Sequence, residues 1–334
     1  MGQLPRGSTS ESRHQALRSI VGEAAALDVL PWIDAKQWWD QVLTNHLYAG
    51  THVSGLNRLI LEKSGAFHPD MIWVDRGLHL WPETLQAVRA QGARTLVHFS
   101  PDNHRILGNQ SRHYFEGIPL YDVHVTTKTD NLDWLRRCGA PRVEFMGKAF
   151  DPEIHRPLSL SPQDREKFGC DIGFVGHWEP ARERLLLGLQ RRGYRLKVWG
   201  GGWQRVRDTR NPLFADCPHL VGDDYAKAIG GAKINLCLLS EWFQDKTTAR
   251  SVEIPACGTF MLAERNEEHQ ALFKEGVEAE FYSDREELLK KIDYYLQHDL
   301  ERQAIAQAGR ARCLNGYGNE DRLRDVLNRI VKRS

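Results

Sequence analysis

CDIGFVGHWEPARERLLLGLQRRGYRLKVWGGGW, residues 170–203, decides the reading of the fold. It opens with a short apolar run ending on Gly176, which reads as a buried strand. Pro180 then starts a helix that Gly193 closes, the usual asymmetry of proline at a helix start and glycine just past its end. A second apolar run follows and leads into three glycines. Strand, helix and strand in immediate succession predict a parallel sheet.

The same alternation continues on both sides. Downstream, "HLVG" reads as a short strand, "YAKAIGGA" as a weak helix and "KINLCLL" as a buried strand. "DKTTARSVEIPACG" (245–258) reads as a loop that becomes a helix near Thr248, with Pro255 marking a late start or a kink. "GTFMLAE" and "AEFY" read as strands, separated by a helix, and three helices close the chain. Upstream, "PDMIWVD", "RTLVHFSPDN", "YDVHVTTK" and "RVEFMGKAF" read as strands with helices between them. "LDVLPWI" (27–33) reads as a further short strand, with helices after it over "AKQWWDQVLTNHLY" and roughly 53–64.

Residues 155–169 carry prolines and serines and no apolar period, which predicts a linker. The expected organisation is an N-terminal domain over 1–157, a linker over 158–168, a C-terminal domain over 169–316 and a final amphipathic helix over 317–334 that packs back on the first domain. The expected fold class is α/β, with two Rossmann-like, doubly wound domains facing a cleft. "GSTSESRHQAL" looks like a glycine-serine turn and helix that should follow a strand, and that first strand is almost missing.

The chain has 334 residues, with 45 Lys and Arg against 44 Asp and Glu. Such a balance argues against a general nucleic-acid or membrane-surface protein. Its six cysteines show neither C-x-x-C nor zinc-finger spacing, so they read as reduced thiols. There is no apolar run of membrane-spanning length and no signal peptide, so a cytoplasmic location is expected.

Gly176, at a strand end, lets a ligand approach the backbone, and Arg182 in the next helical turn hints at an anion. The alternative for Arg182 is a pair with a neighbouring Glu. Residues 200–203 do not form G-x-G-x-x-G, which weakens a dinucleotide-oxidoreductase reading. Within 245–258, Arg250 and Glu253 share one helix face. Lys246 and Arg250 can neutralise a diphosphate, and a carboxylate can accept from ribose hydroxyls. Asp102 and His104 follow a strand and suit proton transfer or hydroxyl recognition. No D-x-D occurs, so no metal-diphosphate clamp of that kind is expected.

In order and spacing, these segments resemble the GT-B retaining glycosyltransferases of the group 1 superfamily. The CgeB-like (spore maturation protein-like) branch is the nearest. The resemblance rests on "DIGFVGHWEPARERLL", "LKVWGGGW", "ARSVEIPACGTFMLAE" and "PDMIWVDRGLHLWPETLQAVRAQGARTLVHFSPDN", and covers nearly the whole chain. It implies a pair of acids with seven residues between them: Asp245, where the family usually has Glu, touching the donor sugar, and Glu253 holding the ribose. It implies diphosphate binding by Gly176, His177 and Arg182, supported by Lys246 and Arg250. Asp102 and Asp245 are then the candidate catalytic residues. The implied reaction moves a sugar from a nucleotide-diphosphate donor to an unidentified acceptor, without metal or cofactor and with retention. The alternative is a non-catalytic nucleotide-sugar or glycan-binding protein of the same fold.

Overall fold

The computed structural model describes residues 1–34, 37–206 and 211–332. The chain forms two compact units, Met1–Gly147 with Arg322–Ser334, and Lys148–Asp321.

The first unit holds a four-stranded sheet in the order β1 (Met71–Asp75), β2 (Thr95–Ser100), β3 (Val123–Thr126), β4 (Val143–Phe145), every pair parallel. Alternate residues of each strand feed opposite cores. Val97 and Phe99 meet Leu323, Val326 and Ile330 of the C-terminal helix on one face. Val74 and Leu96 meet Leu56, Ile60 and Leu85 on the other.

The second unit holds five parallel strands, β5 (Cys170–Val175), β6 (Leu196–Trp199), β7 (Ala232–Cys237), β8 (Met261–Glu264) and β9 (Glu280–Tyr282), in the order β6-β5-β7-β8-β9. Leu236 and Leu262 point to the core under helices 180–190 and 285–297. Their neighbours Cys237 and Ala263 point to the opposite core, under helices 222–231 and 250–256. Strands this apolar on both faces are what helices on both sides require. The expected pair of Rossmann-like α/β sheets is borne out.

Three local expectations need correcting and a fourth holds. Residues 27–33 are not a strand: Asp28 Oδ1 accepts from the Leu30 and Leu4 N–H groups, and Pro31 sits at the start of a one-turn helix, Leu30–Ile33. Proline's fixed φ and missing donor favour that helical first turn over a ladder. "HLVG" forms no strand: its last residue, Gly222, has left-handed backbone at φ 56° and opens the helix Gly222–Gly231. The stretch 158–168 contains a helix, Pro162–Phe168, closed at its start by a reciprocal cap between Ser161 and Asp164. Lys227 reaches Asp164 at 3.0 Å and ties that helix to the second unit. The first strand is as reduced as expected, an isolated bridge between Gly2 and Asp28. The Met1 carbonyl accepts from Asp75 N–H at 2.9 Å, and Gly2 exchanges hydrogen bonds with Leu27 and Val29 at 3.1 and 3.0 Å. Residues 35–36 of the expected helix at 35–48 lie outside the described residues.

Candidate functional site

At the carboxyl end of β5 the chain turns through Gly176 and His177. The three-glycine turn after β6 lies directly against it. Gly176 N–H donates to Trp199 O at 2.8 Å, Trp178 N–H to Gly201 O at 2.9 Å, and the Trp203 indole to Gly176 O at 2.9 Å. Gly200 has φ +129°, and a Cβ there would lie 2.2 Å from Gly176 O. The glycines therefore exist so that two turns can touch, which no side chain permits. His177 remains exposed at the tip. Partial burial holds its imidazole below the ordinary value, and Arg250, His219 and Arg182 push the same way.

Arg182 projects from the first turn of helix Pro180–Gln190 and is 5% exposed. Its guanidinium pairs with Glu179 at 2.9 Å, and donates to His177 O at 3.0 Å and Leu238 O at 3.3 Å. Burial pulls its pKa down, Glu179 and Asp245 support the charge, and Arg250 opposes it. Arg182 thus joins the tips of β5 and β7, while its Nε stays buried without a partner.

The segment 245–258 supplies the remaining groups. Asp245 N–H donates to Ser240 O at 3.0 Å, just after Gln244 in the left-handed region at φ 49°. Helix Arg250–Ala256 begins with Arg250, whose Nε is also buried and unpartnered. Pro255 falls in the last turn, and Gly258, at φ 72°, ends the helix. Glu253 is 6% exposed. Its Oε2 accepts from the Tyr225 hydroxyl, and its Oε1 lies 3.6 Å from His155 Nε2. Asp151 N–H donates to His155 Nδ1, so the ring proton sits on Nε2, toward Glu253. Between the two charged residues, Ser251 Oγ meets His269 Nε2 at 2.8 Å, and His269 Nδ1 donates to Glu264 O at 2.7 Å. That chain locks the helix start to the end of β8.

Three expected diphosphate ligands, His177, Arg182 and Arg250, therefore gather within electrostatic reach of one another, with Asp245 acting on Arg182. Glu253 stands on the same short helix as Arg250. Lys246 is exposed, and its carbonyl accepts from Asn266. Sequence reasoning missed Tyr225, His155 and His269. Each lies far along the chain from 245–258, and no spacing rule flags it.

Asp102 belongs to the first unit, where Arg76 Nε donates to its Oδ2 at 2.6 Å. Arg76 adopts φ 65° in the turn after β1, and its carbonyl is 3.0 Å from His98 Nε2. Behind this turn His98, His104 and His124 are buried together with Tyr114. His104 engages Asn109 O and the Tyr114 hydroxyl, both at 3.2 Å, so it is a buried, fully bonded ring rather than an exposed proton carrier. Burial lowers its pKa to about 4, and likewise that of His124.

Among the described residues, no three or more His, Cys, Asp or Glu side chains are grouped to hold a metal ion, and no helix is long and apolar enough to cross a membrane.

Residues 182–328 match the family described as glycosyl transferase-like. No curated protein matches the chain. Among solved structures, HepE from Anabaena in complex with UDP and glucose superposes with a TM-score of 0.64 at 13% identity, over 99% of this chain and 98% of that one. A glycosyltransferase from Rickettsia africae gives 0.61 at 13%, over 100% and 98%. Sucrose-phosphate synthase from Thermosynechococcus elongatus gives 0.57 at 14%, over 84% and 79%. At such identities the structural likeness speaks for the fold alone. Residues 182–328 are thus similar to glycosyl transferase-like domains, in a chain whose fold is that of the GT-B glycosyltransferases.

Proposed function

We propose that this protein is a glycosyltransferase that moves a sugar from a nucleotide-diphosphate donor to an acceptor hydroxyl. The observation that carries this reading is the convergence of His177, Arg182 and Arg250 at the tips of β5 and β7, beside a buried, oriented Glu253. Arg250 has an unpartnered buried nitrogen and is the primary diphosphate ligand. It stabilises the charge that develops as the diphosphate leaves. His177 offers the exposed strand tip, whereas Gly176, expected to open the backbone to a ligand, is buried with its N–H and carbonyl bonded to Trp199 and Trp203; Arg182 backs the tip with its charge, and Lys246 adds an exposed cation. Glu253 accepts from the ribose hydroxyls, held in place by Tyr225 and His155. Asp245 contacts the donor sugar, and Asp102 takes the acceptor proton.

A UDP-sugar is the proposed donor, because HepE, similar in fold, is described with UDP and glucose. Retention and metal independence follow from the sequence resemblance, as does placement nearest the CgeB-like branch. Free cysteines throughout the described residues fit a reducing, cytoplasmic location. One observation favours the binding-module alternative: Arg182 already gives its hydrogen bonds to Glu179 and two carbonyls.

Incubation with a panel of nucleotide sugars separates the two. Release of nucleoside diphosphate that depends on Arg250 and Glu253 is expected. Release that survives in both Arg250→Ala and Glu253→Ala would sink the site, and tight binding of every donor without turnover would leave a binding module.

A further inference from the structure

The first unit contains a cavity of about 190 Å³ at the carboxyl end of β1, where ligands of parallel sheets bind. Its inner wall is apolar: Ile33, Leu56, Val74 and Leu80 all line it and all are buried. Its polar lining comes from Gln3, Asn45, Tyr48, Asp75, Arg76 and His79, and Met1 lines it too, its amino group donating to Trp73 O at 2.6 Å. The charges in that group are already matched. Asp75 pairs with Arg13 at 2.5 Å, and Arg76 with Asp102 at 2.6 Å. His79 is 3.3 Å from Asn45 Oδ1, and burial takes its pKa to about 4, so it is neutral near pH 7. A charged ligand would find no unmatched partner among these side chains, and burying an unpaired charge is costly.

Backbone strain marks the same place. Among the described residues four non-glycine residues have left-handed backbone, and two of them, Tyr48 and Arg76, line this cavity. Such conformations are strained and cluster at functional sites. A third, Gln244, directly precedes Asp245 in the second unit. The volume also limits the occupant, because pockets for drug-sized ligands begin near about 300 Å³.

We propose that this cavity holds the acceptor, and that the acceptor is a compact, neutral alcohol or phenol with an apolar body of one or two rings, rather than an oligosaccharide or a phosphorylated sugar. The proposal rests on the glycosyltransferase reading above. The apolar body lies against Leu56 and Leu80. The hydroxyl stays by Arg76, which lines the cavity and donates to Asp102. In the transfer, the acceptor oxygen forms the new bond to the anomeric carbon. The bond from that carbon to the diphosphate breaks, the leaving diphosphate keeps the electron pair, and the hydroxyl proton passes to Asp102.

The test uses the full chain with 2-naphthol and 4-methylumbelliferone as probes, against glucose, glucose 6-phosphate and maltotriose. Binding is read by calorimetry, and transfer by product mass with UDP-glucose. Gly108 also lines the cavity, and a Cβ there meets nothing within 4 Å, so Gly108→Trp and the smaller Gly108→Leu can block it without a backbone clash. The phenols should bind the wild type and lose about tenfold or more in affinity in Gly108→Trp, with Tm and the Kd for UDP unchanged. Tighter binding of maltotriose or glucose 6-phosphate than of either phenol would overturn the proposal, as would phenol binding indifferent to both Gly108 variants. Phenol binding that Gly108→Trp removes, without transfer from any nucleotide sugar, would instead overturn the glycosyltransferase reading and leave the cavity's preference standing.

Discussion

The two sheets treat charge in opposite ways at their carboxyl ends. The second keeps ionised groups there: Arg182 against Glu179, Arg250 with a bare Nε, and Glu253 held by a phenol and an imidazole. The first buries neutral rings behind its tips, His98, His104 and His124, and pairs the charges at the tips themselves, Asp75 with Arg13 and Arg76 with Asp102, beside a half-apolar cavity. The same architecture therefore offers one end suited to a polyanion and another suited to a neutral molecule. That division fits the proposed transfer from a nucleotide diphosphate to a hydroxyl compound, and fold alone does not supply it.

The largest expected effect that sharpens the contrast is acid sensitivity. His79, His104 and His124 titrate near 4 in the folded chain, because burial disfavours the imidazolium, against about 6.5 when unfolded. Between those values the unfolded chain binds more protons. Stability present above pH 6.5 is therefore lost as pH falls toward 4, by about 3 kcal/mol per histidine. The second unit's ion network behaves differently. Hydrogen bonds from Arg265 hold Glu287 down to about 2, so its contribution persists until pH falls below the ordinary carboxylate value. Amide exchange at pH 7, 5.5 and 4.5 should show Met1–Gly147 opening first. Earlier opening of Lys148–Asp321 would break the comparison.

Next is Arg250→Ala. Loss of a cation aimed at a leaving diphosphate should lower kcat for sugar transfer by about 10²–10³. Because its Nε has no partner, Tm should hold. Glu253→Gln comes after it. Replacing a charged acceptor of ribose hydroxyls by an amide should weaken UDP binding by about 10–100-fold. Equal losses in transfer from UDP-glucose and in the affinity for 2-naphthol would show that the two ends are not separate in function.

Much of the fold was legible because its strands are apolar on both faces. "KINLCLL" and "TLVHFS" carry that pattern wherever they sit in the chain. "LDVLPWI" misled because an apolar run does not reveal that Asp28 turns the chain and Pro31 starts a helix. The site was legible only in part. Arg250 and Glu253 announce themselves by charge beside small residues, yet their supports Tyr225, His155 and His269 come from distant segments that meet only through the topology. "GGGW" showed three glycines but not their purpose, which is the contact between two turns.

The smallest expected effect probes one of those supports. Tyr225→Phe removes the hydroxyl that donates to Glu253 Oε2 and leaves the ring against His155. A hydrogen bond to a charged group contributes about 1.5–3 kcal/mol, but His155 still orients the carboxylate, so a loss near about 1 kcal/mol, or roughly fivefold in UDP affinity, is expected. The direction matters more than the size. If Tyr225 merely occupies an oxygen that the ribose would otherwise use, its removal should tighten UDP binding. If it fixes the carboxylate for the ribose, binding should weaken, with kcat at saturating donor nearly unchanged. Calorimetry of UDP binding to the two proteins decides between a competitor and a support.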